Sequence, residues 1–205
     1  MGKIITISGN LGAGKTTLAS LICAQAGFTP YLEQPDARPF QRAFTVDPAR
    51  WALANQLDFF LFRCQQEQLA RQQDEIAVFD AGFDQDFHVF TRHIYQQGYL
   101  TQAEFNLCER YYCFARGVLP PPELIIRLTV ELPALLQRRA IRARHTYDLS
   151  LGAQELAGIE ALLDEWLNGE PSSPVLTFPL EKDIQCYPSE IDTLIGQIFA
   201  AFHPL

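Results

Sequence analysis

The chain has 205 residues, 48% of them hydrophobic, with 16 Lys and Arg against 24 Asp and Glu for a formal net charge of −8. That length suits one α/β domain with a full core, and the acidic balance lacks the basic footprint that duplex nucleic acid or an anionic membrane surface requires. No apolar run approaches the ~20 residues of a bilayer span, and the start reads as a strand without a signal-peptide layout, so a cytoplasmic protein with no membrane and no nucleic acid polymer as partner is expected.

The first predicted element is a short β-branched strand, Lys3 to Ser8, followed by Gly9-Asn10-Leu11-Gly12-Ala13-Gly14-Lys15-Thr16 and a helix from Lys15 to about Ala26 that Gly27 stops. This is the G-x-x-x-x-G-K-[ST] phosphate loop in its strand–loop–helix context. Its glycines let successive backbone N–H groups turn inward around phosphate oxygens at a helix N-terminus whose dipole favours an anion. Lys15 would add a point charge at the β/γ-phosphates and Thr16 a hydroxyl for Mg²⁺. The chain therefore reads as a nucleotide handler.

Further strands are predicted at Pro30–Glu33, Ile76–Asp80, Leu124–Val130 and Val175–Phe178, alternating with helical segments. Asp47-Pro48 opens a long helix to about Gln73, and Thr101 with Glu104 forms a capping box for a helix to about Arg116, beyond which Pro120-Pro121-Pro122 cannot continue it. Pro133 begins another helix, and Ser189 caps a last one with 3.6-residue apolar periodicity. The pattern is an α/β doubly wound parallel sheet of about five strands with helices on both faces. Cys23, Cys64, Cys108, Cys113 and Cys186 show no C-x-x-C spacing and read as small hydrophobes, leaving no metal or redox role for them.

In such sheets ligands bind beyond the carboxyl ends of the strands. Glu33 and Asp80 close the second and third strands and so face the phosphate loop. A phosphoryl acceptor hydroxyl needs a carboxylate for its proton and Mg²⁺ needs a hard oxygen, and these two residues can divide those tasks; the competing assignment is a helix cap or a loop carboxylate. Gln56 and Arg63 lie two turns apart on one face of the long helix, among aromatics, and suit the edge of a nucleobase or, alternatively, a satisfied core pair. Arg138, Arg139, Arg142 and Arg144 form a basic cluster that could close over a transferring phosphate as a lid, or face solvent.

These motifs, in this order and over nearly the whole chain, resemble the deoxynucleoside kinase family, the deoxycytidine, deoxyguanosine and deoxyadenosine kinases, and its bacterial members in particular. The loop through Thr17 is similar to that family's phosphate loop, and Glu33-Gln34-Pro35 resembles its Glu-Pro motif. The run from Arg38-Pro39-Phe40 through Asp47-Pro48-Ala49-Arg50-Trp51-Ala52 and the Gln56…Arg63 interval match as well. The resemblance implies a P-loop NTPase-like fold, one kinase domain over 1–205 with an Arg-rich lid at about 138–150, and ATP-dependent phosphorylation of a deoxynucleoside 5′-hydroxyl in nucleotide salvage. By the same likeness the cofactors are ATP and Mg2+. Glu33 would take the hydroxyl proton, while Thr16 and Asp80 serve the metal. Gly9, Asn10, Gly12, Ala13, Gly14, Lys15, Thr16, Thr17 and Arg138 would hold the donor, and Arg142 and Arg144 the transferring phosphoryl group. Gln56, Arg63 and Asp86, six residues beyond Asp80, would hold the base, and Asp148 the sugar. A homodimer is implied too. Two departures bear on the acceptor: Asp80-Ala81-Gly82 stands where the family has an acid followed by Arg-Ser, and Thr45 where it has a sugar-binding Tyr. The base itself is left open among adenine, guanine and cytosine. The alternatives are a thymidylate-type nucleoside monophosphate kinase, for which Arg38 would be the acceptor-phosphate arginine, and a catalytically weakened nucleotide-binding regulatory protein.

Overall fold

Ile4, Ile5 and Ile7 are all fully buried although they alternate in direction along one strand, so both faces of the central sheet are covered. The computed structural model describes residues 2–33, 38–142, 152–169, 171–181 and 188–202, with the side chains of 139–142 outside that description. Five parallel strands, β1 (Lys3–Gly9), β2 (Thr29–Tyr31), β3 (Ile76–Asp80), β4 (Leu124–Val130) and β5 (Val175–Leu180), stand in the order β2-β3-β1-β4-β5.

On one face Ile5, Ile7, Val78, Leu124 and Ile126 pack against Leu18 and Ile22 of α1 (Lys15–Ala26) and against Leu194 and Ile198 of the C-terminal helix Pro188–Phe202. On the other, Ile4, Ala77 and Phe79 meet Ala70 of α3 (Pro48–Gln72), which follows the short α2 (Gln41–Val46). On that same face Ile125 meets Val89 and the helix Ala153–Asn168. The predicted doubly wound sheet is therefore present, and α1, β3 and β4 begin and end where the periodicity put them.

Three expectations need correction. β2 ends at Tyr31, so Leu32 and Glu33 lie past the strand; its pairing with β3 stops at Tyr31↔Phe79, and Pro30, with no N–H to give, confines it to the sheet edge. The last helix starts at Pro188, whose fixed φ suits a first turn, and Ser189 lies inside that turn. Between β3 and α6 (Gln102–Val118) the chain runs through α4 (Phe83–Gln85), a π-helical segment (Asp86–Thr91) and α5 (Arg92–Gln96), none of which the periodicity had marked. After β4 come α7 (Leu132–Arg142), α8 (Ala153–Asn168) and, beyond β5, α9 (Pro188–Phe202).

α8 is locked by charge as well as by packing. Arg127 of β4, nearly buried, donates to Glu160 at 3.0 Å and also to Asp164, while Asn10 Nδ2 donates to Leu156 O and to Glu160 Oε2, both at 2.9 Å. The phosphate loop is thereby tied to the helix that follows the arginine-rich segment.

Candidate active site

The loop is built by backbone geometry. A Cβ on Gly9 would sit 2.7 Å from the Leu128 carbonyl oxygen, and Gly14 caps α1 at φ 104°, a conformation other residues rarely adopt. Lys15 is buried, and its Nζ donates to Gly9 O at 3.1 Å and to Asn10 O at 3.0 Å, so its charge lies across the loop's mouth. Arg138 NH1 donates to Ala13 O at 3.1 Å, which brings α7 onto the loop. Thr16 Oγ1 donates to Asp80 Oδ2 at 2.5 Å, so the two oxygens assigned to a metal stand side by side.

Sequence reasoning missed Gln85. Fully buried, it accepts from Gly9 N–H at 3.1 Å and donates from Nε2 to Gly9 O at 3.0 Å. β3 stops pairing with β1 at Ile7↔Asp80, and the Gln85 amide satisfies the next backbone pair in its place. Only its adjacency to Asp86 could have flagged it.

Glu33, Gln66 and Asp86 come together around Arg63, which is fully buried. Its Nε donates to Asp86 Oδ2 at 3.0 Å, NH1 to Gln66 Oε1 at 3.2 Å and NH2 to Glu33 Oε1 at 3.4 Å. Burial works to lower its pKa, but Asp86 and Glu33 outweigh it, and the guanidinium stays charged. Glu33 keeps 34% of its side-chain surface open. Even so, crowding by the surrounding protein, reinforced by Asp80 and Asp86 and opposed by Arg63 and Lys15, raises its pKa to about 7. Burial likewise raises the Asp86 pKa, against the pull of Arg63. Gln56 is buried, with its amide 2.8 Å from the Thr91 hydroxyl.

Ala81, where the resembling family has Arg, is buried at φ 59°, the one non-glycine residue at positive φ among those described, and donates its N–H to Ile7 O at 3.0 Å. A Cβ on Gly82 would meet Thr6 Cγ2 at 2.7 Å, which a serine there would also have to clear. The cation beside Glu33 is that of Arg63. Thr45 spends its hydroxyl on Arg42 O at 2.7 Å within α2. Arg38 stacks on the Phe62 ring at 4.0 Å and reaches Asp58 at 3.7 Å. Gln34, Pro35, Arg144 and Asp148 lie outside the described residues, as do the side chains of Arg139 and Arg142.

A second buried cluster braces the site from behind. Arg116 of α6 makes two bonds each to Glu67 (2.7 and 2.9 Å) and Asp84 (2.7 and 2.9 Å), and Asp84 also accepts from Tyr112 at 2.7 Å. These pairs fix α3, α4 and α6 together around the residues that carry Arg63 and Asp86.

Comparison with known proteins gives a consistent result. The family model described as deoxynucleoside kinase matches residues 5–203. The chain is 24% identical to a deoxyadenosine/deoxycytidine kinase of Bacillus subtilis over 98% of its length and 94% of that protein's, and 27% identical to a deoxyguanosine kinase of the same organism over 84% of each. Among solved structures, deoxyadenosine kinase from M. mycoides with bound dATP superposes with a TM-score of 0.78 at 19% identity, covering 96% of this chain and 99% of that one.

Proposed function

Since the chain belongs to the deoxynucleoside kinase family, we propose that it transfers the terminal phosphoryl group of ATP to the 5′-hydroxyl of a deoxynucleoside, as a single kinase domain working in cytoplasmic nucleotide salvage. The observation that carries this reading is Glu33: a carboxylate with a pKa raised to about 7, held by Arg63, on the side of the cleft that Asp80 and Lys15 also reach electrostatically. A general base works best when its pKa lies near the working pH. In the proposed step the 5′-oxygen forms a bond to the γ-phosphorus, the bond from that phosphorus to the β,γ-bridging oxygen breaks, and the hydroxyl proton passes to Glu33.

Lys15 and the loop N–H groups hold the donor phosphates, with Arg138 at the loop's edge and Arg142 and Arg144 as the lid cations at the transferring group. Thr16 and Asp80 fit Mg2+, which takes hard oxygens, tolerates few protein ligands and would offset phosphate charge when bound. Gln56, Arg63 and Asp86 form the base edge, with Asp148 and Thr45 on the sugar side.

No helix among the described residues is long and apolar enough to cross a membrane. An apolar stripe does lie open on α6, where Leu107, Phe114 (74% exposed) and Val118 share one face, and Leu61 and Leu69 of α3 are exposed too. It supports the homodimer, since an exposed patch of this kind marks an association surface. Sedimentation of wild type as a dimer and of Phe114→Glu as a monomer is expected; a monomeric wild type would remove this part of the proposal.

The experiment for the activity is an acceptor panel: purified protein, ATP and Mg2+ with each of the four natural deoxynucleosides and, separately, their monophosphates. ADP formed with a deoxynucleoside, and a 5′-monophosphate as product, is the expected result. Turnover with thymidine monophosphate alone would favour the thymidylate-type alternative, and tight nucleotide binding without turnover the regulatory one.

A further inference from the structure

Thr91 faces two oxygens and has one proton to give. Its Oγ1 lies 2.8 Å from the Asp86 carbonyl oxygen and 2.8 Å from Gln56 Oε1, and the residue is fully buried, so solvent cannot supply another donor. A hydroxyl carries one donor and two lone pairs, whereas a backbone carbonyl can only accept. If the proton served Gln56, two oxygen lone pairs would meet at 2.8 Å inside the protein. The amide can resolve this and the carbonyl cannot, because a half-turn about its last bond exchanges Oε1 and Nε2.

Resting on the kinase reading above, we propose that Thr91 is a positioning residue that fixes the Gln56 amide with Nε2 donating to Thr91 and Oε1 turned to the base edge, so that the site selects bases carrying an amino group at purine C6 or pyrimidine C4. The Thr91 proton then goes to Asp86 O, across the π-helical turn that spaces these residues five apart. Asp86 Oδ2 is taken by Arg63 Nε, which leaves Oδ1 as a further acceptor. A base edge with two acceptors fits the amino group of adenine or cytosine. The corresponding keto bases would place oxygen against oxygen.

Two nucleoside pairs isolate this contact: deoxyadenosine against deoxyinosine, and deoxycytidine against deoxyuridine, each differing at the base by amino for keto. Dissociation constants and kcat/KM are measured for wild type, Thr91→Val, which keeps the shape without the hydroxyl, and Thr91→Ser, which keeps the hydroxyl. Wild type should favour the amino member by about tenfold or more. Thr91→Val should lose most of that ratio and Thr91→Ser should retain it within about twofold, with KM for ATP unmoved in both; a purely structural role would weaken all ligands together. A wild type that does not distinguish amino from keto, or a ratio unchanged in Thr91→Val, overturns the proposal. If Thr91→Val fails to fold, the wild-type ratio and its loss in Thr91→Ala carry the test. Selective binding without turnover would sink the kinase reading and leave this inference standing.

Discussion

The phosphate loop and the Arg63 cluster stand within electrostatic reach of each other but are assembled by opposite means. Gly9 through Thr16 are consecutive, and the chemistry is carried by backbone N–H groups, two positive-φ glycines and one lysine lying over its own loop. Glu33, Arg63 and Asp86 come from the segment just past β2, the middle of α3 and the π-helical segment, separated by 30 and 23 residues along the chain. Arg63 holds that second site together from a position with no solvent access. A site made of backbone can lose a side chain and keep its fold, whereas a site made of buried charges cannot, because each removal leaves an unpaired partner behind.

The contrast can be broken at several points. The largest effect belongs to Glu33→Gln, which removes the proposed proton acceptor: kcat should fall by about 10²–10⁴ with KM for ATP little changed. The free variant should also be the more heat-stable protein above pH 7. The wild-type carboxyl, with its pKa raised from 4.5 to about 7 in the folded state, contributes stability that is complete below pH 4.5 and lost as pH rises through 7. The two melting temperatures should therefore converge in acid, which calorimetry across pH would show.

Arg63→Met comes next. It strands Glu33 and Asp86, and chemical denaturation should report a loss of about 3–5 kcal/mol together with the loss of nucleoside binding. Lys15→Met, its counterpart in the loop, should cost about 10²–10³ in kcat while leaving the denaturation midpoint nearly in place, since the carbonyls of Gly9 and Asn10 keep other partners or solvent. Equal destabilisation by the two substitutions would erase the distinction between the sites. The smallest effect is expected from Ala81→Gly, which relieves a left-handed alanine and should raise stability by at most about 1 kcal/mol.

The same contrast explains what the sequence let one read. β3, β4, α1 and the loop were legible because their signals are local: a β-branched run, glycines at fixed spacing, a glycine past a helix end. Gln56 and Arg63 stood out by their two-turn spacing among aromatics and Asp86 only through resemblance to a known motif set, yet nothing in spacing says that Arg63 bridges Asp86 and Glu33. Gln85 and Thr91 were illegible for a related reason. Each acts on backbone atoms brought near by folding, Gly9 in one case and the Asp86 carbonyl in the other, and the π-helical turn that aligns Thr91 has no periodic signature. α8 was different: Leu156, Ile159, Leu162, Leu163 and Leu167 do follow a helical period, and Glu155 accepts from Gly152 N–H at 2.8 Å at its start, so the pattern was present and went unread.

The central claim is that the two halves meet at the Glu33 carboxylate, and the pH dependence of phosphoryl transfer to a nucleoside tests it most directly. Because the base must be deprotonated to act, kcat in wild type should rise as pH increases through about 7 and then level off, and Glu33→Gln should show a low rate with no inflection there. A wild-type rate flat from pH 6 to 8, or the same inflection persisting in Glu33→Gln, would contradict the account.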